Sequence, residues 1–289
     1  MLEAFAASLV ARWDELLRVR YQALHCFDQE QIHDLRVASR RLRSAVTQLP
    51  VLIGNEAVKR LNRPLKALTR ELGVVRNLDE ACSYFGDAHR PALEPLLKEL
   101  QQQRNREAHQ ALHLLRLFNC AKLERRIHEA TTALLTPEHI ASQGLLALLS
   151  ERNLQLYQPI HALLPRVALP EQVDERHALR IAVKKWRYFT ELLHDILGHP
   201  SQAALLTQLR RYQTVLGDLN DREVFSQLLK EAALPEADQR QVRQRISREQ
   251  TRLLKRFCTL LESQPLAYQF RLAADRKSTR LNSSHGYIS

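Results

Sequence analysis

The segment HDLRVASRRLR at residues 33–43 returns as HALRIAVKKWR at residues 177–187, 144 positions later. The same offset carries Leu61, Leu65, Leu68 and Leu72 onto Leu205, Leu209, Tyr212 and Leu216, and Gly73 onto Gly217. A register held without a gap for roughly forty residues marks an internal duplication, so the chain must bury two copies of one apolar face. VRNLDE at 75–80 then meets LNDREV at 219–224, and Pro91 and Pro235 each precede a long polar-rich segment. Two homologous halves are expected, about 1–158 and about 171–265, parted where Pro159, Pro165 and Pro170 interrupt the pattern.

Leu, Ala, Gln, Glu and Arg dominate and only 7 residues are Gly, which predicts an all-α fold. Helices are expected over 2–25, 29–49, 56–72, 78–87, 92–133, 137–157, 173–196, 201–216, 221–231 and 236–263. Asp28 and Asp174 suit N-caps, and Gly73 and Gly217 suit positions just past a helix end. Residues 276–289, RKSTRLNSSHGYIS, are rich in Ser and Asn, abandon the apolar periodicity and read as a disordered or non-native tail. Four isolated cysteines without CxxC spacing, a start lacking a basic leader region and no apolar run of membrane length point to the cytoplasm.

Lys and Arg number 43 against 32 Asp and Glu, a formal charge of +11 spread along the chain, so an anionic partner is expected on folded surface. On a helical wheel His33, Arg36, Arg40 and Arg43 fall within roughly 80° of one another, opposite Leu35, Ala38, Leu42, Ala45 and Leu49. His177, Arg180, Lys184 and Arg187 repeat the stripe opposite Leu179, Ala182, Trp186 and Phe189, while Arg41 and Lys185 flank it. Each stripe is expected to point away from the core and to span about 15 Å, enough for several consecutive anionic groups. Like charges stacked at i, i+3 and i, i+4 repel unless an anion compensates them. Arg brings a fork of donors suited to phosphate oxygens and Lys a compact charge. Lys59, Arg63, Lys66 and Arg70 form a further candidate stripe, of which Lys66 and Arg70 are kept as candidates together with Arg210 in the second half. Tyr188 adds a hydroxyl on the basic face, where its repeat partner is Ser44.

Three chemistries compete with simple polyanion binding. Phosphoanhydride processing needs carboxylates to hold a divalent ion, and Asp79, Asp218 and Asp221 are better read as caps near the LG segments. Nucleic-acid binding shares the electrostatics, but aromatics make up only 6% of the chain, few for stacking platforms. His109 and His113 share a helix face without a third ligand, so no metal or other cofactor is expected.

HDLRVASRRLR and HALRIAVKKWRY, with LGVVRNLDE and LGDLNDREV, resemble the CHAD family, the conserved histidine α-helical domain, over residues 1–265. The resemblance implies two helical bundles related by a pseudo-twofold axis around a basic groove or pore that binds inorganic polyphosphate without catalysis. Carried over by position, that role falls on His33, Arg36, Arg40, Arg41 and Arg43 and on His177, Arg180, Lys184, Lys185 and Arg187. Polyphosphate granules are then the expected location and a CYTH-type triphosphatase a candidate partner. Charge and periodicity by themselves lead only to an extended polyanion, with an accessory role to a phosphoanhydride enzyme and nucleic-acid binding as the alternatives.

Overall fold

A computed structural model describes residues 1–48, 54–88, 90–136 and 145–268. Those residues form nine α-helices and no strand. In chain order they are α1 (Leu2–His25), α2 (Gln29–Val46), α3 (Asn55–Gly86), α4 (Glu94–Arg116), α5 (Cys120–Leu134), α6 (Leu145–Leu163), α7 (Val173–Leu197), α8 (Pro200–Glu231) and α9 (Glu236–Ser263). Short 3₁₀ turns, Pro91–Leu93 and Leu164–Arg166, precede α4 and follow α6. Leu49, residues 137–144 of one expected helix, and the tail at 276–289 lie outside the described residues.

One boundary is set by the chemistry anticipated for it, and another by a glycine the sequence reading did not single out. Asp28 caps α2 by accepting a hydrogen bond from the Gln31 N–H at 2.9 Å. Gly198, at φ 61°, closes α7 in the left-handed conformation that glycine tolerates best. Asp174 sits inside the first turn of α7, whose N-cap position is Gln172. The expected single helix over 92–133 is two, because Asn119 starts α5 afresh by accepting from the Lys122 N–H at 2.9 Å.

The largest departure concerns Gly73 and Gly217, which end nothing: α3 and α8 run straight through them, each 32 residues long. Glycine in a helix interior costs only about 1 kcal/mol relative to alanine. That is less than the burial gained by continuing the apolar face through Val75, Leu78 and Phe85 in α3 and through Leu219, Phe225 and Leu229 in α8. Asp79, Asp218 and Asp221 therefore lie inside helices and cap nothing. Asp79 instead pairs with Arg104 of α4 at 2.9 Å. Pro64 is also interior to α3. It has no N–H to offer the Arg60 carbonyl one turn earlier, and the Arg126 guanidinium of α5 donates to that oxygen at 2.8 Å instead. Pro159 likewise lies within α6 rather than at its end.

Apolar residues from both halves merge into one large core, with Trp13, Leu35, Leu68, Trp186, Phe189 and Tyr212 among its buried members. The Trp186 indole N–H donates to the buried Asn153 amide oxygen at 2.8 Å, fixing α7 on α6. A second, smaller core forms where the C-terminal ends of α3 and α8 meet the start of α4 and the middle of α9. There Tyr84 stacks on Phe225 with ring centroids 4.6 Å apart, and Phe85 meets Phe225 edge-on at 5.8 Å. At the opposite side α7 packs on α1 and α2, where Arg12 pairs with Asp195 at 2.6 Å. The linker after α6 is held by Arg176, which is buried and donates to the carbonyls of Val167, Leu169 and Pro170.

Candidate functional site

The two basic helices α2 and α7 pack against each other, and their stripes meet instead of pointing into open solvent. Arg36 and Arg40 of α2 act electrostatically on Lys184 of α7, together with Arg180 one turn before it. Arg76 of α3 and Tyr188 of α7 also bear on Arg36. The wheel set each stripe opposite its own apolar face, but Arg187 of the second stripe is buried, and a wheel cannot say what faces a polar stripe. Here it is largely the other stripe.

Burial among like charges has a large effect on protonation. Desolvation first, and then Arg180, Arg40 and Arg36, push the Lys184 amine from 10.5 down to about 7, with Asp221 of α8 pulling the other way. Desolvation and then Arg40 lower the Arg36 guanidinium to about 10. Arg180 is lowered by burial, partly offset by Asp221. The Nε atoms of Arg36 and Arg180 are both buried and donate to no partner among the described residues. A buried guanidinium N–H without an acceptor costs about 1–3 kcal/mol or more, so these two donors favour any anion that reaches them.

α3 passes close beneath this cluster: a Cβ added at Gly73 would lie 4.0 Å from Arg36 Nε, an ordinary van der Waals distance. The seam is walled by α2, α3, α7 and α8 and bounded at one end by the second core, into which α3 and α8 run on.

The other expected residues take up distinct positions. His33 and His177 are exposed near the starts of their helices, and His177 Nδ1 lies 2.8 Å from the Asn220 side-chain oxygen. Lys66, Arg70 and Lys185 are exposed, and Arg70 is engaged by the neighbouring Glu71 at 2.7 Å. Arg43 donates its Nε to the Asn62 side-chain oxygen at 3.2 Å and is lowered first by burial and then by Arg40. Tyr188 is 9% exposed, and its ring lies under the Arg187 guanidinium at 4.2 Å. Arg187 is itself buried, donating to Gln213 at 2.5 Å and to Glu191. Arg41 and Arg210 turn toward Glu191 as well, at 3.9 and 3.8 Å.

Three participants escaped the sequence reading. Arg76 was placed beyond a helix end that does not exist, although the apolar period of α3 continues through it. Asp221 was taken for a cap. Glu191 left no trace in the repeat, since the offset sets Thr47 against it. Among the described residues no group of three or more His, Cys, Asp or Glu side chains is arranged to hold a metal ion. Nor is any helix there long and apolar enough to cross a membrane.

Fold and site together define an all-helical protein built around an internal cluster of cations that its own acids do not neutralise. Residues 6–230 match the sequence model of the CHAD domain, and the chain belongs to that family. Its fold is similar to the crystal structure of the CHAD domain from the plant Ricinus communis, at TM-score 0.67 and 23% identity, covering 91% of this chain and 92% of that one. It is also similar to PptA from Streptomyces chartreusis, at TM-score 0.65 and 14% identity, covering 91% and 99%. Among curated proteins no matching relative was found.

Proposed function

We propose that the protein binds inorganic polyphosphate along the α2–α7 seam and performs no chemistry on it. The observation that carries this reading is the pair of buried, unpartnered Nε donors of Arg36 and Arg180 on facing helices, with Arg40 and Lys184 between them. A linear polyanion with closely spaced oxygens can satisfy both donors and relieve the repulsion around Lys184 at once. His33 and His177 at the rim are positioned to hydrogen-bond the chain as it enters. Asp221 is the sole acid among the groups that weigh most on Lys184, too few carboxylates to hold a divalent ion for phosphoryl transfer. On this reading the protein acts in the cytoplasm beside polyphosphate granules, and a CYTH-type triphosphatase is a candidate partner.

Binding should be multivalent and should weaken steeply with salt. The test is competition between polyphosphate and DNA of equal total charge over a salt series, with phosphate release followed in the presence of Mg²⁺. Polyphosphate should win throughout and stay intact. Replacing Arg36, Arg40, Arg180 and Lys184 together by Ala should lower affinity at least about a hundredfold while circular dichroism stays helical. Unchanged binding by that folded variant, preference for DNA, or steady phosphate release would overturn the reading.

A further inference from the structure

We propose that Glu191 is a built-in counter-anion that withholds Arg41, Arg187 and Arg210 from bound polyanion, so that the second half of the protein ends the ligand path that the first half leaves open. The inference rests on the polyphosphate reading and specifies which cations that site can use.

Glu191 lies on α7 one turn beyond Arg187, with its side chain only 8% exposed. A carboxylate buried so far is costly unless cations surround it. Three do, from three helices: Arg187 of α7 by a direct hydrogen bond, Arg41 of α2 at 3.9 Å, and Arg210 of α8 at 3.8 Å. The last two separations are too long for hydrogen bonds, so Arg41 and Arg210 are held by charge and keep their donors unspent. Glu191 Oε2 is buried and accepts no hydrogen bond among the described residues. It is an acceptor that keeps the charge of Arg41, at 3.9 Å, turned toward it.

Glu191, Arg41 and Arg210 border a cavity of about 630 Å³ on the α1 side of the seam, floored by Ala7 and Ala11 and edged by Arg12. Arg12 is committed to Asp195 at 2.6 Å. The cavity has the room and the guanidiniums for a phosphate group, but Glu191 already sits among them, and Glu15 and Asp195 add negative charge to its lining. An incoming phosphate would meet like-charge repulsion from Glu191 in the place where it would otherwise gain most.

The first half has no such device. Thr47 stands at the repeat position of Glu191, and Arg43, the counterpart of Arg187, faces the neutral Asn62 amide. The two halves thus carry matching basic stripes with unequal availability. Polyanion held by Arg36, Arg40, Arg180 and Lys184 extends past Arg43 and not past Arg187.

The test measures tripolyphosphate affinity by calorimetry on the full chain, in variants Glu191→Gln, Arg41→Gln/Arg210→Gln and the triple combination. Glu191→Gln should bind roughly fivefold tighter or more, the effect of releasing two partly exposed arginines, with a steeper salt dependence. Arg41→Gln/Arg210→Gln should stay within about twofold of the unaltered protein, yet cancel the gain in the triple variant. No gain in folded Glu191→Gln, or a loss of more than about fivefold on removing Arg41 and Arg210 from the unaltered protein, overturns the proposal. Should Glu191→Gln unfold, the second criterion decides alone. If the unaltered protein fails to bind polyphosphate, the functional reading itself has failed; if it binds and these variants break the pattern, only the role of Glu191 has.

Discussion

A polyphosphate chain entering the seam should bring a proton with it at pH 8 and almost none at pH 6. In the free protein burial, reinforced by Arg180, Arg40 and Arg36 and opposed by Asp221, holds the Lys184 amine at about 7. Roughly nine-tenths of it is then neutral at pH 8 and roughly one-tenth at pH 6. A polyanion among the same guanidiniums reverses the local potential and draws the amine back toward its ordinary value near 10.4. Binding at pH 8 therefore takes up close to one proton at Lys184, and affinity falls as pH rises above 7, by at most about tenfold per pH unit. Titration calorimetry in buffers of differing ionisation heat reads that uptake directly. Lys184→Met should abolish the uptake at pH 8 and change little at pH 6. Uptake at pH 8 that persists in Lys184→Met, or its absence from the unaltered protein, refutes the reasoning.

The same amine makes stability depend on pH without any ligand. Its folded value lies below its unfolded one, so between about pH 7 and 10.5 the unfolded chain holds more protons and stability rises with pH; below 7 the full penalty applies. Lys184→Met should remove that slope and be more stable at pH 7 by a few kcal/mol, roughly, in urea unfolding. Trp186→Phe should cost about 2 kcal/mol by the same measurement, since it strands the buried Asn153 oxygen. Phe225→Ala should cost about 3–5 kcal/mol by opening the second core. An effect below about 1 kcal/mol in either would contradict the packing described.

The sequence was most legible where a local rule and a tertiary need agreed. The limits of α1 and α9 and the start of α2 follow from apolar period and the Asp28 cap. It misled where the two conflicted. Gly73 looked like a helix end because its local cost is real, but the buried face on both sides of it outweighs that cost. The break at Leu117–Asn119 carries neither Gly nor Pro, and only the Asn119 cap betrays it. In the site, the duplicated stripes named the cations, yet their availability is decided by partners far apart in the chain: Arg187 by Gln213, Arg41 and Arg210 by Glu191. Helical periodicity contains no information about such pairings.

The aromatic contact of Tyr84 with Phe225 ties together two of the helices that wall the seam. Facing stripes of like charge push α2 and α7, and the helices behind them, apart. α3 and α8, each about 48 Å long, meet through those rings near their C-terminal ends, one turn beyond Asp221. That contact holds the two helix ends together against the repulsion. On the proposed reading a polyanion meets a frame already assembled, and an aromatic contact that touches no ligand helps decide how tightly it is held.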